Sequence, residues 1–208
     1  MQLIAHRTPA ESDACRRLAD QGATHFEVDV RLDARGRPVV SHFQPLFRIP
    51  GWLEVDGARL RVAGRVDPPL DAVVGMLPPA VGVLLDLKEK AGDRRLRLAR
   101  TLRDSCDPGR FCVSTGNTDD LDVFRAAGFD TWLTLANLPA LYRGPRGYRT
   151  VTVQHRLLDE RVIDALKARV VRVIAWTVND VSRARTLVRS GVDGITTDDG
   201  RVMEAVRA

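Results

Sequence analysis

Eight short runs of strand-forming residues, most of them followed by a stretch of helical period, constrain this chain more than any other feature. The runs fall at residues 3–6, 25–32, 83–87, 111–114, 131–135, 150–153, 171–177 and 194–197. Segments of helical period follow at 11–20, 70–77, 94–103, 121–127, 160–168 and 181–190. Strands that alternate with helices imply parallel βα units, because a parallel neighbour is reached only by a crossover. Eight strands is the number that closes a (β/α)₈ TIM barrel, and 208 residues makes a small one. A doubly wound open sheet is the alternative topology. No linker, repeat or low-complexity segment interrupts the pattern, so residues 1–208 read as one domain with enough apolar residues, 44%, to bury a core. Residues 37–42, after the turn at Ala34-Arg35-Gly36, read as an extra extended piece pairing back on the second strand. Residues 43–67, rich in proline and glycine, form the longest irregular stretch and a candidate lid.

The polar residues on these runs are placed unevenly. His6 and Arg7 end the first run, Glu27 and Asp29 lie on the second, Asp86 and Lys88 end the third, and Trp176 with Asn179 closes the seventh. Barrel enzymes build their sites at the carboxyl ends of the strands, so charges gathered at that edge argue for function. Within the second run, Glu27 and Asp29 share one face about 6 to 7 Å apart. Carboxylates that close repel unless water or a cation screens them.

Composition narrows the partners. A net charge of +5 and an isoelectric point of 9.6 favour anionic ligands, but the arginines are spread along the chain. Aromatics are only 5%, and neither Cys-x-x-Cys knuckles nor interleaved aromatic and basic residues point to nucleic acid. A small phosphorylated substrate accounts for the charge. Cys15, Cys106 and Cys112 are an odd, unpatterned set, which argues for a reducing compartment. The amino terminus enters a strand without a leader pattern, and no run is long enough to span a bilayer, so the expected location is cytoplasmic. The sequence assigns no oligomeric state.

The segments "LIAHR", "EVDV", "VVSH", "LLDLK", "VIAWTVN" and "GVDGITTD" occur in this order along the chain. Together they resemble the glycerophosphodiester phosphodiesterase family, whose patterns run His-Arg-Gly, Glu-x-Asp-Val, Val-x-His-Asp, Glu-x-Lys, Trp-Thr-Val-Asn and Gly-Val-Asp-Gly-Ile. The resemblance implies a metal-dependent barrel that hydrolyses glycerophosphodiesters to glycerol 3-phosphate and an alcohol. Carried over position by position, it implies Glu27, Asp29 and Asp86 as metal ligands, His6 and His42 as acid and base, and Arg7 and Lys88 as phosphate clamps. Trp176 is expected to wall the substrate's alcohol. Three carboxylates form a hard-oxygen set that suits Mg²⁺ or Ca²⁺ rather than zinc.

The departures carry information too. Phe43 stands where the family has aspartate after the second histidine, so His42 must be oriented from elsewhere. Thr8 replaces the glycine after His-Arg, and Asp86 replaces glutamate with one methylene less reach. An aspartate there also resembles the sphingomyelinase D-like phospholipases, which form a cyclic phosphate. A third reading is a barrel that binds phosphorylated metabolites with little turnover. His25 reads as structural, and Asn179 as a cap for the helix that follows.

Overall fold

The strand residues alternate between two apolar environments, and that double burial explains why they read as near-continuous hydrophobic runs. The computed structural model describes the chain apart from residues 9–10, 34, 43–52, 57–58, 63–66, 89–92, 106, 170 and 208. The strands are β1 (Gln2–Ala5), β2 (His25–Leu32), β3 (Pro38–Val40), β4 (Leu53–Asp56), β5 (Arg59–Val62), β6 (Gly82–Leu87), β7 (Phe111–Thr115), β8 (Asp130–Leu135), β9 (Thr150–Gln154), β10 (Arg172–Trp176) and β11 (Gly194–Thr197). The helices are α1 (Ser12–Asp20), α2 (Leu70–Gly75), α3 (Asp93–Ser105), α4 (Thr118–Ala126), α5 (Leu138–Arg143), α6 (Glu160–Lys167), α7 (Val181–Arg189) and α8 (Gly200–Arg207).

Strands β1, β2 and β6 to β11 pair in parallel, in the order β1-β11-β10-β9-β8-β7-β6-β2. The β1–β2 pairing, Ile4 against His25 and Ala5 against Phe26, closes the ring. The result is the expected (β/α)₈ barrel, with one helix after each barrel strand. The alternative of an open sheet is excluded by that closure. Beyond the end of β1, β2 continues and pairs antiparallel with β3, Val30 opposite Val40, as the extra extended piece predicts.

Three segments differ from the sequence reading. Helix α5 is six residues long, opens on Leu138-Pro139 and buries no side chain, so its apolar periodicity is absent. Helix α8 starts at Gly200, which masks a helical beginning, yet it buries Val202, Met203 and Val206. Within the stretch read as irregular, β4 and β5 form a two-stranded antiparallel sheet, Leu53 opposite Val62 and Asp56 opposite Arg59. Most of the remainder of that stretch, including Phe43, lies outside the described residues, as does Cys106.

The core is layered. Residues facing outward from the strands, such as Val28, Leu85, Val113, Leu133, Val153 and Val173, pack against the helices. Residues facing inward near the amino ends form a separate cluster of Ile4, Leu84, Cys112, Trp132 and Ile174, which fills the lumen as a floor. Gly194 belongs to this layer by necessity. A Cβ there would meet the Gln2 carbonyl oxygen at 2.6 Å and Ile174 Cδ1 at 2.9 Å. Below the floor, His25 packs its ring on Trp132, centroids 5.7 Å apart, which gives it the structural place expected of it. Among the described residues no helix is long and apolar enough to cross a membrane.

Candidate active site

Side chains two apart on a strand share a face, so the residues just above the floor also point into the lumen. Ile4 is followed by His6, Leu84 by Asp86, Cys112 by Ser114, Trp132 by Thr134 and Ile174 by Trp176. On β2 the same face carries Glu27 and Asp29, in register with Leu84 and Asp86 of β6. All eight residues expected to act therefore come to one end of the barrel, the carboxyl end of its strands.

Three carboxylates converge there. Oxygens of Glu27, Asp29 and Asp86 lie within 4.8 Å of one another, and Glu27 and Asp29 are each only 4% exposed. Lys88 bridges two of them, its Nζ 2.5 Å from Asp86 Oδ2 and 2.9 Å from Asp29 Oδ1. Ser114 donates its hydroxyl to the other Asp86 oxygen at 3.2 Å. Burial, reinforced by the charges of Asp29 and Asp86, pushes the Glu27 carboxyl well above its usual range. Burial also raises Asp86, with Lys88 pulling the other way. For Asp29 burial is opposed more strongly, and the Lys88 ammonium and His42 bring its pKa below the ordinary value. Burial disfavours the Lys88 charge, yet Asp86 and Asp29 outweigh it and its pKa is raised.

This arrangement fits a divalent cation. Three carboxylates against one ammonium leave two negative charges in a buried place, a costly state without a counter-ion. Asp29 Oδ1 is buried with the Lys88 ammonium 2.9 Å away, and a carboxylate oxygen keeps a second lone pair to offer. Every donor in the set is a hard oxygen.

Two imidazoles flank the acids, each held by a carboxylate at Nδ1. His6 Nδ1 lies 2.7 Å from Asp198 Oδ1, with its Nε2 4.0 Å from Glu27 Oε2. His42 Nδ1 lies 2.6 Å from Asp29 Oδ2, and its Nε2 accepts from Arg7 Nη2 at 3.0 Å. Because an arginine only donates, that contact fixes His42 with its proton on Nδ1. Asp29 is thus the orienting group that the loss of the family's aspartate at Phe43 leaves to be found. Arg7 itself has a positive φ of 54°, a strained turn for a non-glycine residue. The turn aims its backbone N–H at Glu27 Oε2, 2.8 Å away. Thr8 ties the same turn to β2, donating its N–H and its hydroxyl to the Glu27 carbonyl at 3.0 and 2.7 Å.

Three supporting residues were not legible as such. Asp198 sits just past β11 in the "GITTD" segment, and the same strand-end criterion that selects His6 selects it. Asn179 does not cap α7; Asp180 does, accepting from the Arg183 N–H. Instead Asn179 donates Nδ2 to Asp198 Oδ2 at 2.8 Å, and its oxygen accepts from the Asp198 N–H and the Thr197 hydroxyl. Asp198 therefore has one oxygen on each neighbour and is held facing His6. Arg31 donates to the carbonyls of Lys88 and His42, at 2.9 and 3.3 Å, and so joins the two loops that carry them.

Comparison with known proteins agrees with the motifs. Residues 133–201 match the model of the glycerophosphoryl diester phosphodiesterase family. A 61-residue segment is 33% identical to glycerophosphodiester phosphodiesterase GDPD4 of Arabidopsis thaliana, a match that spans 29% of this chain and 19% of that protein. Among solved structures, an Oleispira antarctica phosphodiesterase in complex with the product sn-glycerol-3-phosphate superposes with a TM-score of 0.77 at 18% identity, covering 100% of this chain and 97% of that one. A glycerophosphodiester phosphodiesterase from Agrobacterium tumefaciens gives 0.70 at 20% identity, covering 99% of both chains. The resemblance read from the ordered motifs is thereby borne out, and the barrel is the fold of these proteins.

Proposed function

We propose that this chain, which carries the glycerophosphodiester phosphodiesterase fold and that family's pattern in its carboxyl-terminal third, hydrolyses glycerophosphodiesters to glycerol 3-phosphate and a free alcohol. The observation that carries the reading is the pair of imidazoles, each anchored at Nδ1 by a carboxylate, beside a three-carboxylate cluster. That anchoring holds each ring in one tautomer and leaves Nε2 as the nitrogen that exchanges a proton with substrate.

In this mechanism one imidazole takes a proton at Nε2 from the attacking water. The other returns a proton to the leaving alkoxide oxygen. Asp198 and Asp29 stabilise the imidazolium each ring becomes, and such general acid and base help is worth roughly 10²- to 10⁴-fold for each group. Glu27, Asp29 and Asp86 would hold Mg²⁺ or Ca²⁺, which when bound supplies positive charge opposite the nonbridging phosphate oxygens. Arg7 binds a phosphate oxygen through its guanidinium, leaving His42 Nε2 as it does so. Lys88 adds its ammonium charge, and Trp176 walls the alcohol. The substrate is a small anionic phosphodiester rather than nucleic acid, in keeping with the spread-out positive charge. The odd cysteine set, with Cys112 a buried free thiol, suits work in the cytoplasm.

The test is release of glycerol 3-phosphate from glycerophosphodiesters with Mg²⁺, with Ca²⁺ and with EDTA. Metal-dependent release supports the reading. A cyclic phosphate seen by phosphorus NMR in place of glycerol 3-phosphate would replace hydrolysis with the sphingomyelinase D-like reaction. Binding of glycerol 3-phosphate without turnover of any diester would leave a metabolite-binding barrel.

A further inference from the structure

Asp29 and Arg31 stand two apart on β2, so their side chains leave the same face of the strand. Over its carboxyl half, β2 has β3 on one side and β6 on the other. His42 follows β3 and Lys88 follows β6, so the two residues reach β2 from opposite flanks. The last main-chain bonds on those flanks run from the Ser41 N–H to the Asp29 carbonyl, 2.8 Å, and from the Lys88 N–H to the Val30 carbonyl, 3.1 Å.

His42 and Lys88 are then each gripped at two points. Asp29 takes the side chains, with Oδ2 2.6 Å from His42 Nδ1 and Oδ1 2.9 Å from Lys88 Nζ. Arg31 takes the main chains, donating Nη2 to the His42 carbonyl at 3.3 Å and Nη1 to the Lys88 carbonyl at 2.9 Å. A guanidinium suits this task because its two terminal nitrogens point in fixed directions from one plane, whereas an ammonium is a single donor centre on a flexible stem. The imidazole of His42 and the stem of Lys88 are thus fixed at both ends. With phenylalanine rather than aspartate following His42, the hold on that residue comes from β2, at the ring by Asp29 and at the main chain by Arg31.

We infer that Arg31 is a positioning residue, which sets the main chains of His42 and Lys88 at a fixed spacing across β2. The proton-exchanging nitrogen and the phosphate-binding ammonium thereby meet one substrate together. The inference rests on the phosphodiesterase reading and adds to it a residue that acts only through its neighbours.

The experiment measures kcat for glycerophosphoglycerol in the full chain with the activating metal, for Arg31→Met and Arg31→Lys, each alone and combined with His42→Ala. Arg31→Met keeps the stem and removes both donors, and kcat per folded molecule should fall about 10- to 100-fold, as for a misplacement of about 1 Å. Arg31→Lys, which reaches one carbonyl at a time, should recover part of that loss. On the His42→Ala background Arg31→Met should cost at least about fivefold less, because groups that act as a unit are not additive and only the path through Lys88 remains. An unchanged kcat in Arg31→Met would overturn the positioning role. Equal proportional losses on the two backgrounds would also overturn it, since Arg31 would then act independently of His42. If Arg31→Met does not fold, Arg31→Lys decides by the same comparison. No turnover in the parent chain with Mg²⁺ or Ca²⁺ would overturn the phosphodiesterase reading and the positioning role with it, whereas a failure confined to the variants' pattern leaves that reading intact.

Discussion

The floor and the rim of this barrel are built by the same strands, two residues apart. Ile4, Leu84, Cys112, Trp132 and Ile174 make a dry layer, and one step on, His6, Asp86, Ser114, Thr134 and Trp176 make a polar one. The lower layer contributes dispersion and apolar burial, while the upper one gathers buried charges that oppose folding. The contrast teaches how one sheet can be both scaffold and site. Strand periodicity transmits the rigidity of the floor to groups about 7 Å above it.

That division can be broken from either side. The largest effect is expected at the rim, where His6→Ala or His42→Ala should lower kcat by roughly 10²- to 10⁴-fold. The melting temperature of either variant should stay within a few degrees of the parent chain, checked by a thermal melt. At the floor the outcome reverses. Ile174→Ala opens a cavity among fully buried neighbours and should cost about 2 to 5 kcal/mol in denaturant unfolding. The kcat per folded molecule should remain close to that of the parent, since Ile174 touches no reacting atom.

A subtler case is Glu27→Gln, a rim residue whose charge the apo fold resists. Glutamine keeps an oxygen for the Arg7 N–H and removes a buried anion raised in pKa by burial and by Asp29 and Asp86. Metal affinity measured by calorimetry should fall at least about tenfold, because one charged ligand is lost. The metal-free melting temperature should hold or rise. A fall in both would place Glu27 in the scaffold instead. The smallest effect is expected from Thr8→Gly, which restores the glycine of the family pattern. It removes one hydroxyl bond to the Glu27 carbonyl, worth about 1 kcal/mol in a denaturant melt.

The same contrast explains what the sequence made legible. Strands buried on both faces read as apolar runs, so β2 and β11 are bounded as their residues suggest. Side chains that end such runs stand out as polar breaks, and His6, Glu27, Asp29, Asp86 and Lys88 announce themselves that way. Helix α5 carries no such signal because it packs only the half-buried Ala140 and Leu141 on the core, and Gly200 hides the start of α8. Pairings across the barrel were out of reach for a different reason. Asp198 lies 192 residues from His6, and only closure of the ring brings them together. Asn179 reads locally as a helix cap, and its turn toward Asp198 depends on a strand that comes later in the chain.

The central claim is that the rim turns over a glycerophosphodiester with the help of a metal bound by Glu27, Asp29 and Asp86. The most direct test is glycerol 3-phosphate release from glycerophosphoglycerol with Mg²⁺, Ca²⁺ or EDTA, beside a His6→Ala control and with metal binding followed by calorimetry. The account predicts release that requires a divalent ion and collapses in the control. No release with any metal, together with no metal binding, would contradict it and leave the three carboxylates without a ligand to hold.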